Sequence, residues 1–129
     1  MPPIPRPTDA ELAILRVLWA RGPSTVREVH TDMADTRTVA YTTTLKLLQV
    51  MTAKGLVTRE ARGPQHIYRA RHSEQLMQRR LVRDLVDRAF GGSTSQFVLQ
   101  ALASRRTSPG ELDEIRRLLD TYGKDTEEE

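Results

Sequence analysis

Residues 38 to 72, TVAYTTTLKLLQVMTAKGLVTREARGPQHIYRARH, constrain the fold more than any other stretch. Apolar residues at helical spacing run from about Ala40 to Lys54, and Gly55 stands where a helix usually closes with a left-handed residue. Two short β-rich runs follow at once, Leu56–Glu60 and Gln65–Arg69, separated by the turn residues Arg62-Gly63-Pro64. Pro64 fits a loop and argues against a central strand. Val57 and Ile67 are the expected inward residues of this hairpin. A helix that passes directly into a basic β-hairpin is the second half of a winged helix-turn-helix.

The first half lies upstream. Thr8 and Glu11 form a capping box, and Leu12, Leu15, Leu18 and Trp19 follow at helical spacing until Gly22-Pro23. Trp19 is expected as a core anchor. Thr25 and Glu28 form a second capping box, and Val26, Val29 and Met33 mark the buried face of a helix ending near Ala34. A short polar turn over residues 35–38 leads into the third helix.

At about 100° per residue, that third helix places Thr44, Leu47, Leu48 and Met51 on one face. Thr42, Thr43, Lys46, Gln49 and Val50 fall on the other. A solvated face would normally carry Glu/Lys pairs, yet no acidic residue occurs between Thr36 and Arg59. Threonines are poor helix formers. Hydroxyl and amide groups bond base edges in a major groove, and methyl groups touch thymine. The expected DNA-reading residues are therefore Thr42, Thr43, Lys46 and Gln49. Arg59 and Arg62 of the hairpin, with His66 and Arg69, are candidates for phosphates.

Charge divides the same way. Residues 1–72 hold 11 Lys+Arg against 6 Asp+Glu, whereas residues 73–129 hold 9 against 11, within a formal net charge of +3. Only the front half is expected to meet a polyanion. With no cysteine there is no disulfide scaffold or thiolate metal site. No apolar run is long enough for a membrane span or a secretory signal, so a cytoplasmic location without membrane insertion is expected.

The back half reads as helices. One runs from Ser73 to about Phe90 with Leu81, Val82, Leu85 and Val86 on a stripe. A short one spans Gln96 to Ala103 with Phe97, Val98 and Leu99. A third starts at the Ser108-Pro109-Gly110-Glu111 cap, carries Leu112, Ile115, Leu118 and Leu119, and ends at Gly123. About 50 residues cannot bury such stripes well alone. Leu81, Leu85, Phe97, Val98, Leu99 and Leu119 are therefore expected between two copies, the alternative being that the stripes pack back on the winged helix within one chain. The expected organisation is a mainly α chain with a small hairpin wing: a DNA-binding domain over 1–72, a helical dimerisation region over 73–123, and a disordered acidic tail over 124–129.

Residues 8 to 122 resemble the penicillinase-repressor family of winged-helix regulators (BlaI/MecI/CopY type). The resemblance is carried by DAELAILRVLW, VREVH, AYTTTLKLLQVMTAKGLV, IYRARHS, the Gly-Gly pair and SPGELDEIRRLL. It implies a homodimer on an inverted-repeat operator of resistance or stress genes, with base reading at Thr42, Thr43 and Lys46 and the wing at Arg59 and Arg62. Val50 stands where family members often carry Arg. Copper-responsive members use a C-terminal cysteine cluster, which this chain lacks. Lactam-responsive members are cut by a membrane sensor protease system; the aligned bond is Gln100-Ala101, where those members carry Asn-Phe.

The run Glu28-Val29-His30-Thr31-Asp32 is not a zinc-site spacing, because His30 points away from the face shared by the two acids. No phosphate loop or nucleophile elbow occurs, so an enzyme, a catalytic residue and a cofactor are not expected. A winged helix used for protein or RNA contact is the remaining alternative.

Overall fold

The computed structural model describes residues 4–34 and 38–128, with side chains through residue 124. Three helices, α1 (Asp9–Arg21), α2 (Val26–Ala34) and α3 (Tyr41–Lys54), precede strands β1 (Val57–Arg62) and β2 (Gln65–Ala70). Helices α4 (Glu74–Ala89), α5 (Thr94–Ser104) and α6 (Pro109–Glu128) follow. The fold is a winged helix with a helical C-terminal region. The turn expected over residues 35–38 falls mostly outside the described residues.

Local chemistry sets the helix ends. Glu11 N–H donates to Thr8 Oγ1 at 3.2 Å, and Thr8 N–H donates to Glu11 Oε1 at 2.8 Å. The Thr25/Glu28 pair repeats this geometry at 3.2 and 2.9 Å, so two orphan amides at each start are satisfied. Gly55 closes α3 at φ 83°, the left-handed region that a side chain disfavours.

The core joins Ile14, Leu15 and Leu18 of α1, Val29 and Met33 of α2, Leu48 and Met51 of α3, Leu56, Val57, Tyr68, and Met77 of α4. Trp19 packs against it, as expected, and its Nε1–H donates to His72 O at 3.0 Å. That bond ties α1 to the segment entering α4.

The hairpin pairs Val57 with Ala70 through to Arg62 with Gln65. A left-handed Gly63 (φ 60°) followed by Pro64 matches the sign pattern of a type II′ turn, with Arg62 as the last strand residue. Directly opposed residues share a face, so Val57, Tyr68 and Ala70 lie together and Ile67 lies on the reverse. The β2 residue that joins Val57 on the inward face beside Ala70 is thus Tyr68, and Ile67, expected there, is buried on the reverse face. Ser24 adds a third, single-residue edge: its N–H and O pair with Tyr68 O and N–H at 3.0 and 2.8 Å.

The chain divides into two compact units, residues 1–84 and 85–129. The division falls inside α4 and not at residue 72, because Met77 is buried and Leu81 packs against the winged-helix core. In the second unit, Phe90 meets Phe97 edge to face at 5.7 Å, and Gly92 N–H returns to Val86 O at 3.0 Å. Helix α6 does not end at Gly123 but continues to Glu128, so the segment expected as a disordered tail is helical to that point. One glycine lowers helix propensity by about 1 kcal/mol, too little to stop a 20-residue helix.

Candidate nucleic-acid interface

Helix α3 is held by its inner face. Thr44, Leu48 and Met51 are buried, and Leu47 is half-buried. The buried Thr44 hydroxyl is satisfied: Thr44 Oγ1 and His30 Nδ1 are 3.1 Å apart. The opposite face is open. Thr42, Thr43, Lys46, Gln49 and Val50 are all exposed, and Thr42, Thr43, Lys46 and Val50 line one shallow patch with Leu47. The angular reading of α3 therefore holds on both faces.

Glu11 adds a constraint that the sequence reading limited to capping. Its carboxylate is buried, with Lys54 Nζ at 2.7 Å, so the last residue of α3 is tied to the first turn of α1. Burial alone would raise the Glu11 pKa. The hydrogen bonds from Lys54 and Thr8 and the charge of Lys54 outweigh it, and the net shift is downward. The pose of α3 is fixed at both ends, by His30 near its start and Glu11 at its finish.

The wing residues separate by strand parity. Arg59 and His66 share the face of Tyr68, while Arg62 and Arg69 project from the reverse. Arg69 lies 3.5 Å from Glu60, which occupies part of its charge. Among the described residues, Lys46, Arg59 and Arg62 enter no ion pair. The arrangement brings Thr42, Thr43, Lys46 and Gln49 together and leaves Arg59 and Arg62 on two sides of one ribbon. That geometry can straddle a backbone while a helix faces base edges.

Sequence reasoning missed a cluster at the α2–α3 corner. The Arg27 guanidinium sits 5.6 Å from the centroid of the Tyr41 ring, and His30 meets the same ring edge-on at 5.6 Å and 78°. An aromatic residue opening α3, directly before the threonines, was the available signal. His30 is thus a half-buried packing residue and not a solvated one. Glu28 and Asp32 share a face as expected: Arg21 holds both, at 2.8 and 3.2 Å. The backbone bond from Thr25, then the Arg21 contact, bring the Glu28 pKa from 4.5 to about 2. No group of three His, Asp or Glu residues placed to hold a metal ion occurs among the described residues.

The residues assigned to a second copy are less enclosed. Phe97 and Val98 are half-buried, whereas Leu85, Leu99 and Leu119 are exposed at 47, 54 and 61%. Leu81 differs, being half-buried against the winged-helix core. Gln100 and Ala101 lie within α5, exposed but helical. No helix among the described residues is long and apolar enough to cross a membrane.

Known proteins share this arrangement. The chain is similar to a transcriptional regulator BlaI of Mycobacterium tuberculosis, 32% identical over 112 residues and covering 86% of this chain and 80% of that one. It is also similar to a penicillinase repressor of Bacillus licheniformis, at 24% identity over 122 residues and 95% of both chains. Among solved structures, monomeric Bacillus licheniformis BlaI in complex with the blaP half-operator matches at a TM-score of 0.51 and 27% identity. That match covers 58% of this chain and 92% of that one. The DNA-binding domain of the repressor BlaI matches equally, over 57% of this chain. The family model for the penicillinase repressor matches residues 7–121. Its members are transcriptional repressors and not enzymes. The chain belongs to the penicillinase-repressor family.

Proposed function

We propose that this chain is a transcriptional repressor that binds duplex operator DNA through α3 and the wing. The observation that carries the reading is the open, acid-free face of Thr42, Thr43, Lys46 and Gln49 on a helix whose pose is pinned at both ends. Thr42, Thr43 and Lys46 read bases. Arg59 and Arg62 grip phosphates from either side of the wing. The half-operator complex of the similar Bacillus licheniformis protein supports the same mode. Lys46→Ala is expected to cost about 1–3 kcal/mol of specific affinity. Equal binding by wild type and Lys46→Ala to a duplex selected by the wild-type chain would contradict the assignment.

The repressor acts as a homodimer on an inverted repeat, with half-sites about one helical turn, or a multiple, apart. Leu85, Leu99 and Leu119, exposed in one chain, lie between the copies, flanked by Phe97 and Val98. The controlled genes are those of resistance or stress responses. Cutting the chain near Gln100–Ala101, with a membrane sensor protease system as the partner, releases the operator. A protease needs extended substrate, so α5 must open first. Helix α5 has no buried residue in one chain, which makes local opening inexpensive. A fragment of residues 1–100 is expected to bind the full operator orders of magnitude more weakly than the intact chain. Tight, dimeric binding by that fragment would exclude cleavage as the switch.

A further inference from the structure

Among the described residues, a cleft lies between α2, the start of α3 and the tip of the wing, and no role above uses it. It measures about 290 Å³, and its walls include Arg27, Tyr41, Pro64, Gln65 and His66. None of its lining residues is a carboxylate. We propose that this cleft is a backbone-phosphate site in which Arg27 is the cation and Tyr41 the plate that aims it. The proposal rests on the DNA-binding reading above and adds to it a contact made from α2.

The geometry is specific about Arg27. Arg21, on the preceding helix, is consumed by Glu28 and Asp32. Arg27 enters no ion pair among the described residues, and its guanidinium lies over the Tyr41 ring at 5.6 Å. That ring cannot drift freely, because His30 meets its edge and is itself paired with the buried Thr44 hydroxyl. Stacking leaves the N–H groups of a guanidinium at its rim free to donate, and a planar fork loses little freedom when so placed. A phosphodiester oxygen is the matching acceptor.

The position within the motif points the same way. In helix-turn-helix docking the first helix of the pair crosses the backbone while the second presents its N-terminal residues to the bases. Here α2 is the first helix, and Tyr41 immediately precedes the base-reading Thr42. A strand whose bases meet Thr42 and Thr43 passes its phosphates beside Arg27. Gln65 and His66 close the far wall from the wing tip, and His66 lies on the ribbon face that Tyr68 also occupies. The cleft thus joins the helix and wing contacts into one continuous track.

The test uses the full chain with two fluorescent duplexes of about 30 bp, one selected by wild type from a random library and one scrambled. Binding is followed by anisotropy across a salt series. Arg27→Ala is expected to weaken both duplexes alike, by about tenfold, and to lower the log–log salt slope by about 1. Arg27→Lys should keep the slope and lose part of the affinity, because an ammonium cannot stack or fork as a guanidinium does. Tyr41→Leu should weaken binding with the slope retained. Thermal melts verify folding, and Arg27→Gln replaces the alanine variant if that one melts early. If Arg27→Ala and Arg27→Gln bind both duplexes with wild-type affinity and slope while Lys46→Ala loses the selected one, the phosphate site is refuted and the DNA reading stands. If wild type binds neither duplex, both fall.

Discussion

The two units of the chain bury their apolar residues very differently. In residues 1–84, side chains from four helices and the hairpin close over Leu48, Met51 and Val29, each fully inaccessible. In residues 85–129, Val86 is the one described apolar side chain that is buried, and Leu99, Leu118 and Leu119 are more than half exposed. Both stretches carry apolar stripes at helical spacing. Periodicity therefore reports that a face is apolar, and not whether one chain can cover it. The first unit has a sheet ribbon and crossing helices to complete a core. The second has α5, α6 and the end of α4, too little material to enclose three stripes.

The largest expected break in this contrast is at the second unit's exposed face. Leu85→Asp should give monomers by sedimentation equilibrium and lower operator affinity by about 10²–10⁴-fold, since linked heads no longer share an effective concentration. Wild-type protein that is already monomeric at micromolar concentration would remove the basis for this expectation.

Core substitutions sharpen the difference. Leu48→Ala removes a fully buried side chain and should cost about 2–5 kcal/mol in denaturant unfolding. Leu119→Ala, at a position 61% exposed in one chain, should change monomer stability by less than about 0.5 kcal/mol. Its effect should appear instead as a weaker dimer. Equal destabilisation by the two variants in dilute, monomeric protein would contradict the account.

Much of this was legible in the sequence, and the reasons differ by element. Capping boxes at Thr8 and Thr25 are local, so both helix starts were readable to the residue. The two faces of α3 follow from one angle per residue, so Thr44, Leu48 and Met51 separated cleanly from Thr42, Thr43 and Lys46. The errors arose where partners are remote. Ile67 is buried as expected, but Tyr68 shares the face of Val57 instead, because parity within a hairpin depends on its register, which a run of β-formers does not specify. Leu81 reads locally as part of the back-half stripe, because nothing local says that α4 begins on the winged-helix core. Gly123 looked like a terminator, although a glycine stops a helix only where the backbone turns left-handed. Lys54–Glu11 and Arg27–Tyr41 span 43 and 14 positions, beyond the reach of any local pattern.

The Glu11 contact gives a smaller test within the first unit. Glu11→Gln should cost about 1–2 kcal/mol, because it removes a charged hydrogen-bond partner from a buried site while Lys54 can still reach water. Glu11 and Glu28 both titrate below their ordinary value of 4.5 in the folded chain. Their stabilisation is therefore full above pH 4.5 and is lost as pH falls below it, towards about 2 for Glu28. Circular-dichroism melts should show the midpoint falling over that acid range, with a shallower fall in Glu11→Gln. The smallest expected effect is at the wing. Arg62→Ala should weaken selected and scrambled duplexes alike and reduce the salt slope by about 1.

The claim that unites these tests is that the basic first unit meets duplex DNA through an open, acid-free helix and its wing. The most direct measurement titrates the intact wild-type chain against a random-sequence duplex at two salt concentrations. With about 6–10 phosphate contacts in the complex, affinity should fall by about 10³–10⁵-fold between 50 and 200 mM salt. Absence of binding at the lower salt, or binding indifferent to salt, would contradict it.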